Sequence, residues 1–145
     1  PDTASGLNNL AALYHNQGRH TEAEPLFKRA LDITEKALGP EHPDVATNMN
    51  NLGALYYQQR RFSDSEALYK RALDITEKAL GPEHPNTSLS LNNLAALYYQ
   101  QERYIEAEAL LRRALDNTEK ALGPGHPFSI RLMEDLNKLK AQDNL

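Results

Sequence analysis

Apolar residues recur along this chain with helical spacing, and the spacing itself comes back three times. Leu7, Leu10, Ala11 and Tyr14 stand three, one and three apart, which places them on one face of an α-helix. Met49, Leu52, Gly53 and Tyr56 repeat the pattern, as do Leu91, Leu94, Ala95 and Tyr98. A second stripe follows each of these. It runs through Ala23, Leu26, Phe27, Ala30, Leu31, Thr34 and Leu38, then through Ser65, Leu68, Tyr69, Ala72, Leu73, Thr76 and Leu80, then through Ala107, Leu110, Leu111, Ala114, Leu115, Thr118 and Leu122. Short polar turns separate the stripes. Gly18 suits a left-handed turn residue, and Arg60 and Glu102 in its place predict less favourable turns. Gly39-Pro40, Gly81-Pro82 and Gly123-Pro124 stop each second helix, glycine for the cap and proline because it cannot continue. Pro1, Pro43 and Pro85 suit a first helical turn, and Asp2 and Asp44 favour its positive end.

The period is 42 residues. KRALDITEKALGPEHP at Lys28 to Pro43 recurs unchanged at Lys70 to Pro85, and again at Arg112 to Pro127 with three substitutions in sixteen positions. A unit copied at a fixed period cannot bury its apolar face alone and must stack on its copies. The copies are 1–42, 43–84 and 85–126, and 127–145 is long enough for one more helix. That last stretch keeps apolar spacing at Ile130, Met133 and Leu136, but Asn137 and Lys140 replace the small and aromatic residues that would receive another copy. It reads as a polar capping helix. The outer face of each second helix pairs acid with base four residues on: Glu24–Lys28, Asp32–Lys36, Glu66–Lys70, Asp74–Lys78, Glu108–Arg112 and Asp116–Lys120. Pro25 stands where the other copies have Ala, and is tolerable only in the first turn of its helix. Pro1-Asp2-Thr3-Ala4 matches Pro43-Asp44-Val45-Ala46, so the chain begins inside a copy and reads as a piece of a longer protein.

Composition removes several classes of function. The formal charge of −4 supplies no basic field for nucleic acid. No apolar run approaches the roughly 20 residues needed to cross a bilayer, and no signal peptide is evident. The absence of Cys fits a reducing, cytoplasmic setting. His42, His84 and His126 recur in the linker, but packed helices lie roughly 10 Å apart, too far for three ligands to share a metal. No Ser-His-Asp arrangement, phosphate loop or HExxH occurs, so neither enzyme, cofactor nor metal is expected.

The series Leu10-Ala11-x2-Tyr14-x8-Ala23-x3-Phe27-x2-Ala30 resembles the tetratricopeptide repeat signature, lengthened from 34 to 42 residues by a longer second helix and the LGPEHP linker. This variant is similar to the repeats of kinesin light chain and of bacterial repeat arrays. Ser65 and Leu111 depart from the pattern without threatening it. The resemblance implies an all-α, right-handed superhelix, an α-solenoid of three helix-turn-helix repeats plus a C-terminal capping helix, forming a single domain over 1–145. It also implies a concave face lined by the first helices, where such domains bind a peptide or a partner helix.

At 100° per residue, the side of each first helix opposite the apolar face carries rows of matching residues. They are Asn8, Asn50 and Asn92; Asn9, Asn51 and Asn93; Ala12, Ala54 and Ala96; His15, Tyr57 and Tyr99; and Asn16, Gln58 and Gln100. The last helix adds Arg131, Glu134, Asp135 and Lys138. Amides can serve a peptide backbone as donor and acceptor, and Tyr gives contact area at low entropic cost. The Asn rows could equally tie the helices together. The expected function is a protein-interaction module binding a peptide or protein segment on these rows. The alternative is a structural spacer or a scaffold that self-associates end to end through Leu7, Leu10 and Tyr14. Ser5, Asn8, Leu89 and Asn93 occupy the places where a carboxylate clamp carries Lys and Arg, and only Arg131 is basic, so acidic peptides should bind weakly or not at all.

Overall fold

The computed structural model describes residues 2–143, where α-helices joined by short turns and linkers are the only regular structure. Three pairs, α1 (Asp2–Asn16) with α2 (His20–Leu38), α3 (Pro43–Gln58) with α4 (Phe62–Leu80), and α5 (Pro85–Gln100) with α6 (Tyr104–Leu122), are followed by α7 (Pro127–Asp143). The helix pairs coincide with the 42-residue copies. Pro1, the side chains of Asp2 and Asp143, Asn144 and Leu145 lie outside the described residues, so the readings of Pro1 as a helix-initiating residue and of Asp2 at the helix's positive end do too. The chain forms two compact units, Pro1–Ile75 and Thr76–Leu145, with the division inside α4.

In the first unit Ala11, Ala23, Phe27, Leu52, Leu55 and Tyr56 form one buried cluster. Val45, Ala46, Met49, Ala72 and Ile75 form another, and Leu31 and Leu68 pack against both. The small residue of the first-helix stripe has a specific cause at Gly53. A Cβ there would stand 2.7 and 2.9 Å from the ring of Tyr69, and the Ser65 hydroxyl donates to the Gly53 carbonyl at 2.8 Å. In the second unit Leu91, Leu94, Leu97, Tyr98, Ala107, Leu111, Ala114, Leu115, Leu132, Leu136 and Leu139 are buried.

First helices bury more than the single expected stripe. In α3 the row Val45, Asn48, Leu52 and Leu55 is buried as well as the row Ala46, Met49, Gly53 and Tyr56. A helix inside an array has neighbours on two flanks. The terminal helices show this by losing one. In α1, Leu10 and Leu13 are 40% and 53% exposed because no helix precedes them among the described residues, while Leu7 and Tyr14, expected to be bare, are half-buried. Tyr14 belongs to the cluster around Phe27. In α7 the buried row is Ser129, Leu132, Leu136 and Leu139, and Ile130 and Met133 are 48% and 43% exposed. The expected face of Ile130, Met133 and Leu136 is thus mistaken. Ile130 and Met133 occupy the flank on which no second helix follows among the described residues.

The turns explain the punctuation. Gly18, Arg60 and Glu102 all adopt positive φ, 77° for the glycine and 60° for the other two. Arg60 and Glu102 therefore carry the steric cost of a left-handed L-residue. Gly39 and Gly123 have φ near 91° and ψ near 156°, beyond the left-handed helical well and in a region open essentially to Gly alone. That is why this glycine never varies between copies. The linker histidines turn out to be caps: Nδ1 of His42, His84 and His126 accepts the backbone N–H of Asp44, Asn86 and Phe128 at 3.0–3.1 Å. Pro25 is not in the first turn. It lies six residues into α2, where the N–H it lacks would have met the Thr21 carbonyl. Both residues are exposed, so water can serve that carbonyl.

Candidate peptide-binding surface

Each unit presents two first helices. In the first unit, α1 and α3 place Asn9, Ala12 and Asn16, and Thr47 and Gln58, in the open, with Asn8, His15, Asn50, Asn51, Ala54 and Tyr57 half-buried. In the second, α5 and α7 expose Leu89, Ala96, Tyr99, Gln100, Arg131, Glu134 and Lys138, with Asn92, Asn93 and Asp135 half-buried.

The asparagines differ in what they touch. Asn8 belongs to a chain of side-chain hydrogen bonds that joins three helices. The Thr34 hydroxyl donates to the Ala30 carbonyl at 2.8 Å, so it must accept from Asn48 Nδ2 at 2.7 Å. Asn48 then turns its Oδ1 toward α1, where the Asn8 amide donates to it. Asn48 and Thr34 are buried. Asn9, Asn51, Asn92 and Asn93 make no side-chain hydrogen bond among the described residues.

The aromatic row sits at the elbow of each pair. Tyr57 meets Phe62 with centroids 6.0 Å apart, and Tyr99 meets Tyr104 edge-on at 5.4 Å. In the first copy both partners are histidines: His15 and His20 have centroids 5.1 Å apart and Nδ1 atoms 3.3 Å apart. Burial, and secondarily His20, push the His15 imidazole below its ordinary pKa. Behind each elbow an arginine covers the stripe tyrosine, Arg19 over Tyr14, Arg61 over Tyr56 and Arg103 over Tyr98, at 4.0–4.2 Å. These arginines also pair with Glu22, Asp64 and Glu106. The Arg at the end of every turn, with an acid three residues on, was a legible signal for this brace.

On the outer helices the expected i,i+4 pairs Glu24–Lys28, Asp32–Lys36, Glu66–Lys70, Glu108–Arg112 and Asp116–Lys120 close at 2.7–3.2 Å. Lys28, then Arg61, hold the Glu24 carboxyl below the usual carboxylate range. Pairs between copies were not foreseen: Arg71 reaches Glu35 at 3.4 Å, and Arg113 reaches Glu77. Desolvation pushes the phenol of Tyr69 up to about 12, so it stays neutral as a packing group. Among the described residues no three His, Asp or Glu side chains come together as metal ligands, and no helix is long and apolar enough to cross a membrane. The surface offers amides, rings and hydroxyls, which suit recognition.

The model of the tetratricopeptide repeat matches residues 2–78, 58–120 and 89–141, which together cover nearly the whole chain. The chain belongs to the tetratricopeptide repeat family. Comparison with curated proteins gives no significant match. Among solved structures, BtubC (BKLC) from P. vanneervenii is similar over 97% of this chain and 56% of its own, at 26% identity and a TM-score of 0.89. A putative kinesin light chain from Podosopora anserina, with nearly identical repeats, matches over 93% of this chain and 64% of its own, at 26% identity and a TM-score of 0.84. This chain thus spans less than two thirds of either relative. The first tetratricopeptide domain of Spaghetti, bound to the HSP90 peptide SRMEEVD, shares the fold at 16% identity, with a TM-score of 0.72 and coverage of 99% and 95%. The kinesin-light-chain-like character of the 42-residue repeat follows from the first two.

Proposed function

We propose that this tetratricopeptide protein is a non-enzymatic interaction module that binds an extended peptide or protein segment on its first helices, in the cytoplasm. One observation carries the reading. Asn9 and Asn51 on α1 and α3, and Asn92 and Asn93 on α5, present amides that serve no side-chain bond among the described residues, and α3 and α5 also carry the rings of Tyr57 and Tyr99. A free amide gives a peptide backbone both a donor and an acceptor whatever the peptide's side chains. The domain of Spaghetti, which shares the fold, is seen with a peptide.

Selection from a random heptapeptide display library, followed by fluorescence anisotropy, tests this. Replacing Asn51 and Asn93 together by Ala should weaken a selected peptide roughly tenfold, at about 0.5–1.5 kcal/mol per hydrogen bond, with an unchanged circular dichroism spectrum. No enriched peptide, or unchanged affinity in the double variant, refutes the reading. The acidic SRMEEVD peptide itself should bind weakly or not at all, because Arg131 is the only cation on the rows that correspond to a carboxylate clamp. Micromolar affinity lost on Arg131→Ala would overturn that expectation.

A second reading rests on the bare Leu10 and Leu13 of α1. These suit end-to-end association of copies. Light scattering decides it: a mass that rises with concentration, and is restored to the monomer by Leu13→Glu, supports self-association.

A further inference from the structure

The elbow of the first copy differs from the other two in a paired way. Copies two and three set Tyr57 against Phe62 and Tyr99 against Tyr104, whereas the first sets His15 against His20. Both members of the ring pair change together, and both become imidazoles, the side chain that most often ligates a metal. The rings present Nδ1 to Nδ1, 3.3 Å apart, while their centroids are 5.1 Å apart. As a hydrogen bond this is at the long limit for an N–H donor. As the spacing of two ligands on one metal it fits. Zinc about 2.0–2.1 Å from each nitrogen, with 3.3 Å between the two, would subtend about 104–111°. That range contains the tetrahedral angle. Square-planar coordination, which suits Cu(II) and Ni(II), would need the nitrogens about 2.9 Å apart at the same bond length.

The backbone holds the pair in place. The Gly18 N–H donates to the His15 carbonyl at 3.0 Å, and the Arg19 N–H to the Tyr14 carbonyl at 2.8 Å, which closes the turn between α1 and α2. Both rings are half-buried, and Asn16, Gln17, Gly18 and Arg19 around them are exposed, so the pair lies at the surface. The charges nearby do not oppose a cation. Arg19 lies over Tyr14 and pairs with Glu22. His15 stands in the last turn of α1, where the negative end of the helix favours positive charge.

We infer that His15 and His20 hold Zn(II) between their Nδ1 atoms. Both imidazoles then carry their proton on Nε2, whereas a hydrogen bond between the two nitrogens needs the proton on one Nδ1. Zinc tied to the end of α1 and to the start of α2 clamps the elbow. Its two remaining tetrahedral positions take water, or a His, Cys or carboxylate side chain of a segment bound on the same row. That last role rests on the peptide-binding reading, whereas the two-histidine site does not. The site belongs to the first copy alone, since the other elbows carry no imidazole.

Titrating the untagged, 15N-labelled chain with zinc chloride, read in long-range proton–nitrogen spectra of the imidazoles, tests the inference. Nδ1 of His15 and of His20 should shift together and saturate at one equivalent of zinc. Magnesium, which takes oxygen ligands, should shift neither. His15→Tyr and His20→Tyr each put the residue of the third copy in place, so the fold is kept. Either should weaken zinc at least about tenfold, because the second nitrogen binds intramolecularly in the native chain. Shifts confined to His42, His84 and His126, separate saturation of His15 and His20, or undiminished affinity in His15→Tyr would overturn the site. A failed peptide selection alongside joint saturation of His15 and His20 would refute only the peptide-binding reading. Selected peptides whose affinity is the same with and without zinc would refute only the role of the metal in holding the segment.

Discussion

Gly53 shows how a single position records its neighbour. The first-helix stripe holds Ala11, Gly53 and Ala95, and the second-helix residue at the matching place is Phe27, Tyr69 and Leu111. The glycine stands opposite Tyr69, whose ring leaves no room for a methyl group. Gly53→Ala should cost about 1–3 kcal/mol, the range of an overpacked core. Adding Tyr69→Leu, the residue of the third copy, should recover most of that loss in chemical denaturation. A double variant no more stable than Gly53→Ala would show that the clash lies elsewhere. Another residue-scale effect sits at the first elbow. Burial and His20 lower the pKa of His15 in the folded chain, so the unfolded chain takes up the proton more readily. The stability His15 allows is complete above its ordinary value of 6.5 and is lost as the pH falls through that value toward the depressed one. Melting temperatures should fall more steeply with acidification in the native chain than in His15→Tyr, which restores the residue of the other two copies.

At the scale of the element, most of the helices were legible. Apolar spacing, the Gly-Pro stops and the acid-base pairs located every helix, because each signal is local and is written three times. What stayed hidden depended on neighbours. The row of Leu13, Leu55 and Leu97 went unread because a helix seen alone offers no reason to bury two flanks. The face of α7 was misread because Ile130 and Met133 keep apolar identity on a flank where nothing is packed. The histidine caps were missed because the preferred capping residues are Ser, Thr, Asp and Asn. On the candidate surface, the helical angle located the exposed Asn9, Asn16, Gln58, Tyr99, Gln100 and Arg131, whereas Asn8, His15, Asn50, Asn51, Tyr57, Asn92 and Asn93 on the same rows are half-buried. The role of Asn8 was not legible, since its partner Asn48 is buried and has Gly6, Ser90 and Leu132 as its counterparts in the other copies and the last helix. Pro25 is the element's one defect. Pro25→Ala, as in the other copies, should restore a bond to Thr21 and raise the unfolding free energy by about 1–3 kcal/mol. A neutral or destabilising result would mean that the proline's stiffening of the unfolded chain offsets the missing bond.

For the molecule, the copies should behave as interchangeable parts. Placing a further copy of 43–84 between His84 and Pro85 keeps the two existing kinds of junction and adds one between two identical copies. In arrays of this kind stability is close to a sum of unit and nearest-neighbour contributions. The enlarged chain should therefore melt at a higher temperature and show a larger denaturant m-value. An added low-temperature transition would show that the copies are not equivalent.

Arg71 with Glu35 and Arg113 with Glu77 carry this further. The second copy holds the basic half of its joint with the first, Arg71, and the acidic half of its joint with the third, Glu77, both within KRALDITEKAL. The instruction for joining is thus inherited whole whenever a copy is inherited. Unequal crossing-over in the gene can lengthen or shorten the array in steps of one copy without a compensating change elsewhere. The same constraint slows divergence of the outer helices, leaving novelty to the first helices, where the three copies already differ.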